Sequence, residues 1–556
     1  MATIAAVSCS VPFLFDDSIL ETFFDASGIA INEGVDVVNN ASTQLDHEKR
    51  TFILLISLAA AKFMLHFGIN LASAYGYFRD EFYYIACSDH LAFGYVDQPP
   101  LSILLLKISR VFFGDSLAAI RLFPALTGAL TVFLTGRIVK ELGGGRFAQL
   151  FAALCVLLAP LPLALGSYYS MNAWDLLVWT LAVWILVKWI NTSDPKLWLW
   201  LGVVLGLGLQ NKISVLWLGF AIALGLVATE NRRTLQTRWP WLAAGIASLL
   251  FLPHIIWQIL NGWPTLEFMS GAAGKIAEVT FLRYLGSQIL EMNPLLFPVW
   301  FAGLVWYLFA PKGKQYRMLG IIYVVVFALL VISGNVRTYY LAPAYPMLFA
   351  SGALLLEKVS GTGLLRWARW AFVVLVLQVG IIAAPMAVPV LPVEKFIQYS
   401  EALGMKPKTE EKHRTGSLPQ FFADMHGWEE IVDSVAEVYE NVREDVRSDG
   451  SGRWAVFTGN YGVAGAVNFL GKKYDLPPAI SGHNNYWLWG PGDPPPENLI
   501  MVDVSFENEG LCGQAWQAGT TDCTWCMPYE DNNPIFVCMG FQGDPDTIWS
   551  EVKHFE

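Results

Sequence analysis

A series of long apolar runs with few charged residues, from about residue 52 to residue 390, is the feature that most constrains this chain. Uninterrupted runs of about 18 or more apolar residues are typical of helices that cross a membrane. Charged residues make up only 15% of the 556 residues, whereas an average soluble protein has roughly 25%. The sequence therefore predicts an α-helical polytopic membrane protein and excludes a soluble globular one.

The apolar runs also give an estimate of the number of membrane spans. We expect about eleven, give or take roughly two, because several of the runs are short. The runs 197–210 and 213–229 are short enough to form one broken or re-entrant element. The amphipathic stretch 100–113 is too short and too charged to span comfortably, so we expect it to lie in the membrane interface.

Basic residues predict the orientation of the spans. Residues 1–50 lack a basic start followed by a short apolar core, so we expect a poorly ordered, mostly cytoplasmic tail and no cleavable signal. With that tail inside, the inner loops hold fourteen Lys and Arg residues, and the outer loops, not counting the interfacial stretch 100–113, hold five. The positive-inside rule favours this orientation, which places residues 73–113 outside as a first outer loop with its interfacial helix. An odd number of spans then places the C-terminal region outside as well.

The region 391–556 differs from the membrane part in composition. It contains 26 acidic and 11 basic residues and has many turn signals. We predict a small extracytoplasmic α/β domain, with strands at 454–458 and 479–481 and a short helix at 464–470. Its acidic excess argues against nucleic-acid binding.

Four cysteines cluster in this region, at Cys512, Cys523, Cys526 and Cys538. If the region lies outside the cytoplasm, we expect one or two disulfides, with free thiols as an alternative. A zinc site at Cys523 and Cys526 is a weaker alternative, because no second pair has matching spacing.

The first outer loop carries the carboxylates that are candidates for chemistry. Arg79, Asp80 and Glu81 follow the first apolar run closely, and Asp97 and Gln98 lie further along the same loop. Carboxylates at a bilayer surface are costly unless they are paired or used. The residues alone leave open a solvated loop with a surface ion pair between Arg79 and Asp80.

Polar groups recur at the outer ends of later apolar runs. Singly, each could be an interfacial anchor or a snorkelling side chain. Together they predict a polar, partly cationic cavity on the Asp80 face, and cations at that depth suit a lipid-linked phosphate. The groups are Ser170-Met-Asn172, Asn211-Lys212, His254, Trp257-Gln258, Asn293 and Arg337-Thr-Tyr-Tyr340.

The segment 77–101, with Arg79-Asp-Glu81 and Asp97-Gln-Pro-Pro100, resembles the first outer loop of the glycosyltransferase family 39 / protein O-mannosyltransferase-like superfamily. This superfamily includes bacterial enzymes similar to lipid A aminoarabinose transferase and the rhizobial galacturonosyltransferases. The resemblance runs in order over about residues 50–390. Further matching motifs are Ser170-Met-Asn-Ala173, Gly206-x-Gly-x-x-Asn-Lys212, Trp257-Gln-x-x-Asn-Gly-Trp-Pro264, Met292-Asn-Pro294 and Tyr339-Tyr-Leu-Ala-Pro343.

The resemblance implies a C-type glycosyltransferase fold and a reaction. Such enzymes take a sugar from a polyprenyl phosphate, such as undecaprenyl phosphate, and transfer it with inversion to an acceptor hydroxyl on the outer face of the membrane. The implied partners are the lipid-linked donor, a lipid, glycan or protein acceptor of the cell envelope, and the bilayer of the inner (plasma) membrane. The sugar would be a hexose or a pentose.

The resemblance also implies roles for the loop residues. Asp80 is expected to be the general base on the acceptor hydroxyl, and Glu81 extends the Asp-Glu pair of the family. Asp97 matches a second carboxylate that binds the acceptor or orients the site, and we group Arg79 and Gln98 with it. In the lipid A enzymes a lysine follows that second carboxylate, so the presence of Gln98 removes one phosphate-binding cation.

The donor phosphate then needs other cations. Lys212 and Arg337 are the best candidates, and we group His254, Tyr339 and Tyr340 with them as phosphate-binding residues. A cation can replace a general acid here, because polyprenyl phosphate is already a good leaving group.

We expect no cofactor, since a lipid-linked donor requires no nucleotide site and the sequence holds no strong cluster of metal ligands. A loop site for a divalent cation remains an alternative. Two other functions stay open. A flippase or transporter of lipid-linked sugars would carry polar residues through the bilayer midplane and paired repeats. A non-catalytic envelope assembly protein would use its C-terminal domain to bind glycan.

Overall fold

The structure is a computed structural model that describes residues 34–72, 74–334, 336–446, 452–506 and 510–556. Side chains are described from residue 46 onward, except those of residues 444–446. The chain divides into two compact units, Met1–Ile53 and Leu54–Glu556. Most of the expected N-terminal tail lies outside the described residues, but residues 34–50 are helical and belong to the first helix.

Helices dominate the described part of the chain up to residue 390. Their apolar faces form a large buried cluster that includes Val132, Leu186, Trp300 and Phe349. The helices are α1 (Gly34–Ala72), α2 (Arg79–Asp89), α3 (Leu101–Phe113), α4 (Leu117–Ile120), α5 (Leu122–Glu141), α6 (Arg146–Leu158), α7 (Pro160–Leu165), α8 (Met171–Thr192), α9 (Leu197–Asn211), α10 (Val215–Val227), α11 (Trp239–Leu260), α12 (Pro264–Lys275), α13 (Phe281–Glu291), α14 (Phe297–Phe309), α15 (Arg317–Ser333), α16 (Tyr345–Val359) and α17 (Gly363–Ala383).

Short 3₁₀ helices connect several of these elements. They are Glu230–Gln236, Pro294–Leu296, Pro311–Tyr316, Thr338–Ala344 and Ala384–Met386.

The described helices offer fewer candidate membrane spans than the central estimate of eleven. Among the described residues, 7 helices are long and apolar enough to cross a membrane, or up to 9 if each bent helix pair counts as one span. The bent pairs turn by 107° after α10 and by 101° after α13. The apolar run 147–165 does not form one span, because α6 ends at Leu158 and Pro160, which has no N–H to donate, begins a separate helix. The larger number of candidate spans, 9, equals the lower limit of the expected range.

The stretch expected to lie in the interface is the 13-residue helix α3. Ile103 and Leu106 face the protein interior, whereas Leu104, Ile108 and Val111 on another face are exposed. This two-sided pattern fits a helix that packs on the protein with one face and meets lipid with the other, and its interfacial location stays a prediction.

The C-terminal domain, residues 391–556, contains the only sheet in the described residues. Its five strands are ordered β2-β1-β3-β5-β4, with β1 parallel to β2 and β3, and β5 antiparallel to β3 and β4. The strands are β1 (Trp454–Thr458), β2 (Ala479–Ser481), β3 (Asn498–Val502), β4 (Cys512–Thr520) and β5 (Pro534–Phe541). The helices are α18 (Val393–Ala402), α19 (Gln420–Ala423), α20 (Trp428–Val446), α21 (Tyr461–Leu470), α22 (Asn485–Trp489) and α23 (Pro545–Glu551), with a 3₁₀ helix at Gly471–Tyr474.

Both strands expected from the sequence, 454–458 and 479–481, are present. The expected helix 464–470 begins three residues earlier, at Tyr461. The reason is a cap: the Asn460 side chain accepts hydrogen bonds from the backbone N–H groups of Gly462 and Val463. Asparagine in this position supplies an acceptor for N–H groups that have no partner inside the helix.

The four clustered cysteines form two disulfides, Cys512–Cys538 and Cys523–Cys526. The Cα atoms of the pairs lie 5.5 and 5.9 Å apart, within the usual reach of a disulfide. The disulfide expectation is confirmed, and Cys523 and Cys526 have no free thiolates to offer a zinc ion.

Helix α21 of the C-terminal domain packs directly on helix α2 of the membrane part. Phe82 and Ile85 of α2 share one buried apolar cluster with Val463 and Val467 of α21. Glycine permits the close approach, because a Cβ atom at Gly465 would lie only 2.7 Å from the Cβ atom of Phe82. The C-terminal domain therefore rests on the segment that carries the candidate carboxylates.

Candidate active site

Asp80 lies in the first turn of α2, close to the end of α1. Its side chain is about a third exposed, at 36%. Oδ1 accepts a hydrogen bond of 2.8 Å from the hydroxyl of Tyr461 and lies 3.8 Å from Nε of Arg79. The N-terminus of a helix favours a negative charge, so this carboxylate is held at a defined place and still meets solvent.

Glu81 differs sharply from its neighbour. It is 0% exposed, and its two oxygens receive two hydrogen bonds of 2.8 Å from the guanidinium of Arg121. The backbone N–H groups of Phe78 and Tyr169 donate to the same carboxylate at 2.8 and 2.6 Å. Both oxygens are thus occupied, so the geometry fits a carboxylate that holds the loop in place. The expected catalytic role of Glu81 stays a prediction.

Arg121 is a partner that the sequence analysis missed. It is fully buried between α4 and α5, and it also donates to the backbone oxygen of Gly76 at 2.9 Å. The signal was available: an arginine inside the apolar run 117–136 needs a buried counter-charge. Glu81 is that charge, and the ion pair joins the start of α2 to the membrane helices.

Asp97 lies close to Tyr83 and to a residue of the C-terminal domain. The Tyr83 hydroxyl lies 2.9 Å from Asp97 Oδ1 and 3.0 Å from Asn485 Oδ1. The Val96 backbone N–H donates to the same asparagine oxygen at 2.7 Å. Burial raises the pKa of the Asp97 carboxyl to about 7, and the nearby charge of Asp80 acts in the same direction. Asp97 can therefore gain or lose a proton near neutral pH.

Gln98, the residue found where the lipid A enzymes have lysine, is fully buried. Neither polar atom of its side chain has a hydrogen-bond partner among the described residues. An unpaired buried amide is costly, so Gln98 remains available to a group that enters the site.

Arg79 lies between the two parts of the chain. Its Nη1 donates to the Tyr529 hydroxyl at 2.5 Å, and its guanidinium carbon lies 5.8 Å from the centre of the Tyr461 ring. Its backbone N–H donates to the backbone oxygen of Asp424 at 2.8 Å. Arg79 thus ties α2 to the C-terminal domain beside Asp80.

Lys212 is buried at the end of α9. Its Nζ donates to Asn172 Oδ1 at 2.8 Å and lies 3.5 Å from Asp175 Oδ2. It also lies 5.0 Å from the ring centre of Tyr340 and 5.7 Å from that of Tyr339. The structure thus brings together three of the expected phosphate-binding residues. Asp175, its ionic partner, was not expected.

Arg337 and His254 have different surroundings. Arg337 Nη2 forms an ion pair of 2.6 Å with Glu411 of the C-terminal domain, and its side chain is 30% exposed. Arg337 immediately precedes the 3₁₀ helix Thr338–Ala344 that carries Tyr339 and Tyr340. His254 is buried on α11, where a Cβ atom at Gly94 would lie 2.7 Å from its Nδ1. His254 therefore packs under the loop 94–100, apart from the contacts of Lys212.

A family model described as dolichyl-phosphate-mannose-protein mannosyltransferase matches residues 97–257. The structure of ArnT from Cupriavidus metallidurans bound to undecaprenyl phosphate is similar at 13% identity and a TM-score of 0.53, over 88% of this chain and 99% of that chain. This chain has the C-type glycosyltransferase fold. The superfamily resemblance seen in the sequence is confirmed.

Other proteins with the C-type glycosyltransferase fold agree. The Archaeoglobus fulgidus oligosaccharyltransferase is 15% identical with a TM-score of 0.51, over 77% of this chain and 63% of that chain. The arabinofuranosyltransferase AftD from Mycobacteria is 11% identical with a TM-score of 0.50, over 88% of this chain and 40% of that chain. No curated protein sequence matches this chain. At these identities the likeness establishes the fold alone.

Two groups of described residues could offer three ligands to a metal ion. One is Cys523, Cys526 and Asp531, whose cysteines are joined in a disulfide. The other is His483, His554 and Glu556. Neither group contains Asp80 or Asp97.

Proposed function

We propose that this protein transfers a sugar from a polyprenyl phosphate carrier to a hydroxyl group of an acceptor, with inversion, at the outer face of the membrane. The observation that carries this proposal is the placement of Asp80. Its carboxylate begins a helix beside the end of a membrane helix and remains partly open to solvent. A carboxylate in that position can remove a proton from an acceptor that arrives from the water phase.

The reaction needs one base opposite one leaving group. In this proposal the acceptor oxygen attacks the anomeric carbon, the bond from that carbon to the phosphate oxygen breaks, and the acceptor proton passes to Asp80. The sugar changes its anomeric configuration because attack and departure occur on opposite faces. Asp97 and Gln98 orient the acceptor.

Lys212 supplies positive charge to the departing phosphate. Tyr339 and Tyr340 flank its ammonium group, and Arg337, which precedes them, adds a second cation. A fixed cation stabilises the charge that develops on the leaving oxygen, so the proposed reaction requires no cofactor. ArnT, which shares the fold, was solved with undecaprenyl phosphate bound, and this supports a lipid-linked donor.

We place the protein in the inner (plasma) membrane, with the N-terminus in the cytoplasm and the domain 391–556 outside. The inner loops hold fourteen basic residues against five in the outer loops when the interfacial stretch 100–113 is not counted, and this excess supports the orientation. The acceptor is then a lipid, glycan or protein of the cell envelope, and the sugar is a hexose or a pentose.

Asp80→Asn tests the proposed base. We expect this variant to lose transfer almost completely, by about 100-fold or more, while its expression and melting temperature stay close to those of the wild type. The assay is mass spectrometry of envelope lipids, glycans and proteins from a deletion strain that carries either the wild-type gene or the Asp80→Asn gene. The modified molecule that is missing in the deletion strain also identifies the sugar and the acceptor.

Asp115→Asn is the matched control for this experiment. Asp115 lies beyond the same loop, is exposed, and pairs with Arg110. Full activity of Asp80→Asn would show that Asp80 is not the base. Equal losses of activity in both variants would indicate general damage to the loop.

A further inference from the structure

Tyr461 is the residue of the C-terminal domain that touches the candidate base. It is the first residue of α21, and its hydroxyl donates to Oδ1 of Asp80 at 2.8 Å, across 381 positions of the sequence. The hydrogen bond joins the soluble domain to the reacting group of the membrane domain.

The backbone of α21 fixes where this hydroxyl lies. The Asn460 cap sets the start of the helix, and two glycines let the helix approach α2 closely. A Cβ atom at Gly462 would lie 2.7 Å from Cγ of Arg79, and one at Gly465 would lie 2.7 Å from Cβ of Phe82. Larger residues at either position would move α21 away, and the Tyr461 hydroxyl would move with it.

The ring of Tyr461 is held from several sides. Its centre lies 4.8 Å from that of Tyr83 and 4.6 Å from that of His483. The backbone N–H of Tyr461 points to Nδ1 of His483 at 3.4 Å. Aromatic contacts on two sides restrict the rotation of the ring, so the hydroxyl is aimed at Asp80 before any substrate binds.

We propose that Tyr461 is a positioning residue for Asp80. Its hydroxyl holds Oδ1, and Oδ2, which has no hydrogen-bond partner among the described residues, faces the acceptor and takes its proton. The proposal rests on the proposed function, because it assigns Oδ2 the role of general base. Preorganised hydrogen bonds of this kind act on the reacting step, since they keep the reacting group in its productive geometry.

The consequence is that the C-terminal domain completes the active site. Asn485 of the same domain lies against Tyr83 and Val96, beside Asp97. Both segments of the loop that carry candidate carboxylates are therefore held by side chains from residues 461–485.

Tyr461→Phe is the test, because it removes one oxygen and retains the ring contacts. We expect kcat to fall about 10-fold, with KM for the lipid-linked donor within about twofold of the wild-type value and the melting temperature unchanged. The full chain is assayed in proteoliposomes. The donor is a radiolabelled membrane-lipid extract from the wild-type host, and the acceptor is the envelope fraction of a deletion strain.

Tyr474→Phe is the matched control. The Tyr474 hydroxyl donates to Asp433 Oδ1 at 2.6 Å on the exposed surface of the same domain, so this variant breaks a bond of the same type away from Asp80. We expect its kcat and KM to equal those of the wild type.

A double-mutant comparison separates positioning from other effects. If Tyr461 acts through Asp80, Tyr461→Phe causes no further loss in the Asp80→Asn background. A further 10-fold loss there, or a rise in KM with unchanged kcat, would overturn the inference. If Tyr461→Phe kept the wild-type kcat while Asp80→Asn was inactive, the inference about Tyr461 would be wrong and the proposed function would stand. If Asp80→Asn was active, the proposed function itself would be wrong.

Discussion

At the scale of single residues, two adjacent carboxylates have separate environments. Asp80 is partly exposed and accepts one hydrogen bond from a tyrosine, whereas Glu81 is buried and satisfied by a guanidinium and two backbone N–H groups. Neighbours on a helix point in different directions, about 100° apart, so one can face solvent while the next faces the protein interior. This difference supports the proposal that Asp80 is the base, and it fits a carboxylate at Glu81 that holds the loop in place.

Glu81→Gln tests that division of roles. Breaking a buried ion pair by removing one charge leaves the other uncompensated, at a cost of about 3–5 kcal/mol. We therefore expect less folded protein and a lower melting temperature in detergent, while each folded molecule that remains still transfers sugar. The measurement is thermal unfolding alongside transfer normalised to folded protein.

Glu141→Gln serves as the comparison, since it neutralises a carboxylate at the far end of α5 from Arg121. If Glu81→Gln retained the wild-type melting temperature and lost all transfer, the support role would be wrong. Glu81 would then belong to the catalytic group, as the sequence resemblance implies.

At the scale of elements, the contact between α2 and α21 depends on glycines, which have no side chain. The two helices meet where Gly462 and Gly465 face Arg79 and Phe82. Interiors are packed closely enough that one added carbon must displace its neighbours. The separation of the helices is therefore set by residue size as well as by apolar burial.

Gly465→Ala should push α21 away from α2, because the new Cβ atom would meet backbone and side-chain atoms of Phe82 at 2.7–3.0 Å. We expect a loss of about 1–3 kcal/mol in the free energy of unfolding and reduced transfer. The checks are chemical unfolding in detergent and the same transfer assay.

Gly274→Ala on α12 is the control, since a Cβ atom there would meet nothing within 4 Å. Alanine is the better helix former, so this variant should be neutral or more stable by up to about 1 kcal/mol. Equal behaviour of the two variants would show that the close contact does not limit the packing of α21.

The sequence predicts elements well where the signal is local. Apolar runs predicted the membrane helices, and the segments 454–458 and 479–481 were recognised as strands. The span count stays a prediction, and Pro160 and the bent pairs divide apolar runs that hydropathy alone joins. Lys212 and Tyr340, which the resemblance grouped at the donor phosphate, lie close together in the structure, and their role there stays a prediction.

At the scale of the whole molecule, the sequence could not predict the contact between its two halves. Tyr461 and Asp80 lie far apart in the chain, and no pattern around Tyr461 distinguishes its phenol from that of a packing residue. Asn485 and Glu411 were missed for the same reason, because their partners Tyr83 and Arg337 belong to the membrane part. Long-range pairing is a property of the fold and leaves no local signal.

The orientation of the whole molecule can be tested with single cysteines. Lys473→Cys places a thiol on the surface of the C-terminal domain, and Lys314→Cys places one at the opposite, basic end of the helices. We expect a membrane-impermeant maleimide to label the first in intact spheroplasts and the second only after the membrane is opened. The reverse pattern would place the C-terminal domain in the cytoplasm.

The hydrogen bond between Asp80 and Tyr461 also has a consequence for the order of events during synthesis of the chain. The ribosome synthesises residue 80 long before residue 461, so in the proposed orientation the Asp80 side chain would reach the outer face before the Tyr461 hydroxyl is present to hold it. Full transfer activity would then develop only after the last domain has crossed the membrane, folded and packed on α2. A truncated polypeptide left in the membrane would therefore use little of the lipid-linked sugar donor.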